Sequence, residues 1–163
     1  MSVKRCGFFT DGVNLFRKDL FIDWDLGFDS KAKHTYIQRE LGEDLSPCVD
    51  VTTASPIRIA RNLSPHLLRL SDGSSFIDTY GSLREHGLFD LAYYLTLSKE
   101  QHDYVSSAKC FIDVSYTSSP GTMTQARSLA VLQMLQKQHQ LELLMNVNDF
   151  LDWFHETCQE III

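Results

Sequence analysis

The sequence lacks any apolar run of the length that a transmembrane helix needs, and its first residues lack the apolar segment of a signal peptide. It also lacks an excess of basic residues, since 15 Lys and Arg stand against 21 Asp and Glu, for a net charge of −6. Binding to nucleic acid without sequence preference depends on Lys and Arg that neutralise phosphates. We therefore expect a cytoplasmic protein that neither enters a membrane nor binds nucleic acid non-specifically.

Cysteine is scarce and follows no metal-binding or redox pattern. Cys6, Cys48, Cys110 and Cys158 form no C-x-x-C pair, so we expect four reduced thiols, as in a cytosolic protein. His155 and Cys158 lie three residues apart on a predicted helix, but no second pair with metal-ligand spacing accompanies them. We predict neither a metal nor a cofactor.

Glycine-rich and nucleophile motifs are missing as well. The chain has no G-x-G-x-x-G, Walker-type or G-x-S-x-G sequence, and it has no internal repeat or low-complexity linker. With 163 residues and 44% hydrophobic content it is long enough to bury a core of its own. The patterns predict one α+β domain over residues 1–163, dominated by helices, with a small sheet that contains the strand 111–116.

The stretch from Cys110 to about Leu135 organises this reading. A β-branched and aromatic run at 111–116 predicts a strand, Pro120 and Gly121 end it, and the apolar content of 126–135 predicts a buried helix. A helix that opens under a Ser/Thr/Gly-rich loop offers unpaired backbone N–H groups and a positive dipole end. The pattern is typical of a phosphate or carboxylate site.

Five residues are the predicted ligand contacts of this anion site. Thr122 or Thr124 caps the helix, Gln125 and Arg127 follow in its first turns, and Arg58 stands in a second loop-into-helix opening after Ser55 and Pro56. Arg is suited to such a site because its planar fork donates two parallel bonds to an oxyanion.

Asp113 alternates with Ile112 and Val114 in the strand that leads to the loop. In one interpretation it faces water on a half-buried sheet or pairs with Arg127. In the other it orients Arg127 or binds a ligand hydroxyl, because clefts beyond strand ends are frequent ligand sites. The sequence leaves both interpretations open.

Three segments of the chain resemble blocks of one domain family. The segments Phe111-Ile112-Asp113-Val114 and Gln125-Ala126-Arg127 resemble the last block of an uncharacterised bacterial and phage domain family. That block has the form Phe-Thr-Asp-Ile followed, after a Ser/Asn-containing loop, by Gln-Ala-Arg before an Ala/Leu-rich helix. The stretch Trp24-Asp25-Leu26-Gly27-Phe28 and the region 50–67 are similar to the family's first and middle blocks.

That family in turn looks distantly like domains of the NADAR type, small helix-rich folds linked to ADP-ribose and to glycosidic chemistry on nucleotides. The resemblance implies a pocket for a small anionic or ribose-phosphate ligand. NADAR-type domains carry a Glu, an aromatic-Gln pair and a Lys on one helix, whereas the corresponding region 73–91 offers Arg84 and Glu85. Glu85 and Asp113 are therefore the candidate catalytic carboxylates.

Two classes of function follow. The first is a nucleotide- or ADP-ribose-handling domain with N-glycosidase-like activity, in which a carboxylate stabilises an oxocarbenium-like state or activates water. The alternative is a non-catalytic binding protein of a defence, counter-defence or toxin–antitoxin system, with a protein partner. A structural interaction module that uses the last amphipathic helix is a further form of this second class.

Overall fold

The structure is a computed structural model that describes residues 2–23, 29–41, 48–51, 55–83, 87–113, 125–158 and 160–162. The strands are β1 (Ser2–Thr10), β2 (Leu15–Asp23), β3 (Cys48–Asp50), β4 (Cys110–Ile112) and β5 (Glu160–Ile162). The helices are α1 (Ser30–Leu41), α2 (Arg58–Arg61), α3 (Phe76–Tyr80), α4 (Leu88–Thr96), α5 (Lys99–Ser107), α6 (Gln125–Lys137), the 3-10 helix Leu141–Met145 and α7 (Val147–Thr157). The predicted α+β class with dominant helices is confirmed.

A long antiparallel hairpin, β1 and β2, forms the middle of the sheet, whose strand order is β3-β4-β1-β2-β5. The hairpin turn contains the pair Asp11-Gly12. The Asp11 carboxylate accepts hydrogen bonds from the Val13 and Asn14 amides, both at 2.8 Å, and these bonds lower its pKa. Gly12 has a φ of 101°, a conformation that residues with a Cβ rarely adopt.

Two short parallel pairs extend the hairpin on either side. β3 pairs with β4, which is antiparallel to β1, and β5 pairs with β2. β5, which contains Ile161 and Ile162, thus adds to an edge of the sheet as the parallel partner of β2. Since β4 is described only to Ile112, the remainder of the predicted strand, 114–116, lies outside the described residues.

Helices cover both faces of the sheet. On one face, α6 is buried from Ala126 to Leu135 and contacts β1, β2, β4 and α5. On the other face, Ile37 of α1 and Leu20 of β2 belong to a second, smaller core cluster. Successive strand residues point to opposite faces, and therefore Phe111 joins the first core while Ile112 joins the second. The whole of β4 is buried for this reason.

The sequence predicts Ser55 as a helix cap followed by Pro56, and Asn148 as the cap of the last helix, and both starts are wrong by two residues. α2 begins at Arg58, with Ile57 as its N-cap, whereas Ser55 and Pro56 precede it. α7 is capped by Asn146, whose side chain accepts from the Asp149 amide at 3.1 Å. The prediction had placed that cap at Asn148. Asn146 and Asn148 lie within one turn of each other and are both suitable caps, so the sequence does not decide between them.

Among the described residues, no helix combines the length and the apolar character that crossing a membrane requires.

Candidate functional site

The carboxyl ends of β3 and β4 lie side by side because the two strands are parallel and in register from Cys48 and Cys110 onward. The Val51 amide continues the ladder with a 3.0 Å bond to the Ile112 carbonyl. Each strand ends in an aspartate: Asp50 is fully buried, and Asp113, which directly follows β4, is 8% exposed. Loops beyond the carboxyl ends of parallel strands are frequent ligand sites.

Asp113 has a cationic and an aromatic neighbour. Burial lowers the pKa of Arg5, and the nearby Asp113 carboxylate opposes that effect. Burial also raises the pKa of Tyr93 well above its usual value, and Asp113 and then Asp90 raise it further. The interpretation in which Asp113 faces water is therefore wrong, since its side chain is buried near charged and aromatic groups.

Arg127 lies in the first turn of α6 and is only 7% exposed. Its charge opposes the burial that raises the pKa of Cys158 to about 12, and it acts in the same direction on Tyr94. Arg127 therefore interacts electrostatically with both side chains. The guanidinium is held inside the protein rather than spread on its surface.

Asp90 connects these residues. It is fully buried in α4, and its carboxylate accepts a 2.5 Å hydrogen bond from the Ser128 hydroxyl. The Tyr94 hydroxyl donates to the Ser128 carbonyl, and the Tyr93 hydroxyl donates to the Leu63 carbonyl. We call the following group the polar cluster: Asp90, Tyr93, Tyr94, Asp113, Arg127 and Ser128.

The polar cluster brings together two kinds of charged group. Its guanidinium can donate paired hydrogen bonds to a phosphate or carboxylate. Its carboxylates can accept hydrogen bonds from sugar hydroxyls, or stabilise a developing positive charge. The rings of Tyr93 and Tyr94 are fully buried with centroids 6.0 Å apart, and both hydroxyls donate to backbone carbonyls.

Asp90 and Ser128 were missed in the sequence, although one signal could have found Asp90. It is the single charged residue in the apolar helix 88–96. A charged residue on such a helix is seldom fully buried unless it has a partner, so its position predicts a buried interaction. Ser128 carries no comparable signal, because serine is common on all faces of helices.

The other predicted ligand residues are placed differently. Gln125 is the half-buried first residue of α6. Arg58 is exposed and lines an open cleft whose other wall is the start of α5, around Ser98 and Gln101. Thr122, Thr124 and the catalytic candidate Glu85 lie outside the described residues.

Metal-ligating side chains do not converge in the part of the chain that the structure describes: no group of three or more His, Cys, Asp or Glu residues is placed to hold an ion.

A scan of the chain against protein-family models finds no match, and no curated protein matches it either. The fold and the polar cluster define a small α+β protein with a charged, buried region at the carboxyl end of a parallel strand pair.

The reactivity of the four thiols tests the free state and the burial of the cysteines. All four cysteines are free. Burial raises the pKa of Cys6 to about 11 and that of Cys158 to about 12, and it raises the pKa of Cys48 as well. Since the thiolate is the reactive form, alkylation of the native protein at pH 8 should be at least about tenfold slower than alkylation of the unfolded protein.

Thiol titration with and without denaturant, in the absence of reductant, measures this difference. Four thiols per chain should react in denaturant. A titre below four would contradict the free state of the cysteines, and fast reaction of all four in the native protein would contradict their burial.

Proposed function

We propose that this protein binds a nucleotide- or ADP-ribose-type ligand beside the polar cluster, with N-glycosidic cleavage as the reaction. The observation that carries the proposal is the burial of Asp113, directly after β4, and of Arg127, in the first turn of α6. A carboxylate and a guanidinium are the two groups that a ribose phosphate needs: one for the sugar hydroxyls and one for the phosphate.

The expected chemistry assigns one role to each group. In hydrolysis of an N-glycosidic bond, the C–N bond breaks and its electron pair leaves with the nucleobase. Water then attacks the anomeric carbon, and a carboxylate accepts its proton. Asp113 is the nominated base and stabiliser of the oxocarbenium-like state, and Arg127 is the nominated phosphate ligand. Glu85, chosen from the sequence, is the second candidate carboxylate.

A non-catalytic binding protein of a defence, counter-defence or toxin–antitoxin system is the second candidate function. An exposed apolar patch favours it. Met145 is 83% exposed, and Leu141 and Val147 on either side of it are also exposed. Contiguous exposed apolar residues often mark a protein interface. In this alternative the polar cluster serves to fix α4 against α6.

A thermal-shift screen with ADP-ribose, NAD, nucleotides and nucleobases separates the two functions. A ligand present at 100 times its dissociation constant stabilises the folded state by about 2.7 kcal/mol, which raises Tm by several degrees in a chain of this size. If none of these compounds shifts Tm and native mass spectrometry of the protein isolated from its host shows a bound partner, the second function is favoured.

Substitution of Arg127 by lysine tests the proposed phosphate contact. Lysine keeps the charge but loses the planar fork, so the affinity for the ligand found in the screen should fall by about tenfold. Isothermal titration of both proteins measures the change. Arg39→Lys, on the exposed side of α1, is the matched control and should bind as the wild type does. Equal affinities for wild type and Arg127→Lys would remove Arg127 from the site.

A further inference from the structure

A cavity lies between α4 and the segment 69–83, and its lining contains none of the residues of the polar cluster. Its volume is about 670 Å³, within the range of roughly 300–1,000 Å³ that is usual for small-molecule sites. The side chains that form its apolar floor and walls are Leu70, Leu83, Leu88, Leu91, Ala92 and Leu95. Residues 88, 91, 92 and 95 are spaced to share one face of α4, so the helix presents a continuous apolar stripe to the cavity.

The wall opposite α4 is held rigidly. The Leu70 amide donates to the Ser74 carbonyl at 2.8 Å, and the Phe76 amide donates to the Leu68 carbonyl at 3.1 Å. Tyr80, which lines the cavity, packs against the fully buried Phe76 ring with centroids 5.3 Å apart. The cavity is thus preformed, and a ligand would not have to order its walls.

In the part of the lining that the structure describes, Asp72 and Arg69 are the charged side chains, and they differ in their hydrogen-bond and ion-pair partners. The Asp72 carboxylate accepts bonds of 2.9 and 2.5 Å from the Ser74 amide and hydroxyl, and these bonds lower its pKa. Arg69 is exposed, and in the described part of the chain its guanidinium has no ion-pair partner. Among the described residues, the cavity therefore has an apolar interior and a cation, Arg69, able to bind an incoming anion.

We propose that this cavity binds a small amphipathic carboxylate, with its apolar body on the leucines of α4 and its carboxylate paired with Arg69. A monoanion with one compact head fits best, because Asp72 repels negative charge spread along the ligand. Leu95 is 54% exposed at the rim, and the apolar part of such a ligand would cover it. This site is independent of the polar cluster and of the function proposed for it.

Isothermal titration with decanoate, below its micellar concentration, tests the proposal. The wild type should bind decanoate in a saturable way, and Arg69→Gln should bind it about tenfold more weakly because a charge-assisted hydrogen bond is lost. The uncharged analogue decan-1-ol should bind both proteins equally. Ala92→Trp, which fills the cavity from α4, should abolish binding of both compounds.

Arg58→Gln is the matched control, since Arg58 is also an exposed arginine beside a cleft but lacks the apolar stripe. It should leave decanoate binding unchanged. Equal weakening by Arg69→Gln and Arg58→Gln would show non-specific anion attraction and overturn the proposal, as would no binding by the wild type. A dimer of the chain that Ala92→Trp dissociates, together with no decanoate binding, would identify the cavity as an interface between copies and also overturn it.

Discussion

Replacement of Phe76 by alanine is expected to lower the free energy of unfolding by about 3–5 kcal/mol. The Phe76 side chain is fully buried, and its ring contacts the rings of Phe89 and Tyr93 at centroid distances of 5.5 and 6.1 Å. Its removal leaves a cavity at the junction of α3 and α4, which the close-packed surroundings can fill only in part. Urea denaturation, with the m-value checked for constancy, measures the loss.

Phe21→Ala is the control for this experiment. Phe21 is 74% exposed on β2, with the Lys4 ammonium 6.0 Å from its ring centroid. Its truncation should change the free energy of unfolding by less than about 1 kcal/mol. If both phenylalanines cost the same, the assignment of Phe76 to the core would be wrong.

Ser128→Ala should cost about 2–3 kcal/mol of unfolding free energy, a large effect for the loss of one hydroxyl group. The substitution removes a hydrogen bond to the fully buried carboxylate of Asp90, and a hydrogen bond to a charged group contributes about 1.5–3 kcal/mol. Ser106→Ala is the control. The Ser106 hydroxyl is exposed and bonds only within its own helix, to the Asp103 carbonyl, so its loss should cost less than about 0.5 kcal/mol.

A double-mutant cycle with Asp90→Asn shows whether the charge of Asp90 is the cause. Asparagine still accepts a hydrogen bond but carries no charge, so Ser128→Ala should cost less in the Asp90→Asn background than in the wild type. Equal costs in the two backgrounds would mean that the carboxylate charge is not responsible.

The class of fold and most helices were predictable, but the longest strands were not. From sequence alone, the region of β1 and β2 predicts only an apolar cluster with a turn and one short strand, because its hydrophobic residues do not alternate strictly. The structure gives the reason. Helices cover both faces of the sheet, so neighbouring residues such as Phe8 and Phe9 each find apolar partners on their own face. Covered sheets lose the alternation on which strand prediction depends.

The candidate site was predictable only in part, because only some of its residues lie close together in the sequence. The strand–loop–helix pattern located Asp113 and Arg127, because it is local in sequence. Asp90 meets Ser128 only through the packing of α4 against α6, and no local pattern encodes a contact between residues so far apart. Arg58 was predicted to approach the same site, but its helix directs it to a surface cleft beside α5.

The interleaved strand order has a consequence for synthesis of the chain. β1 ends at residue 10, but it also pairs with β4, in which Ile112 is the partner of Gly7. At roughly 5–20 residues per second, a ribosome needs on the order of 10 s to make the intervening segment. During that interval the hairpin presents the open edge of β1 to other chains. Contacts this distant in sequence also slow refolding, so the nascent hairpin is the stage at which the protein is most exposed to aggregation.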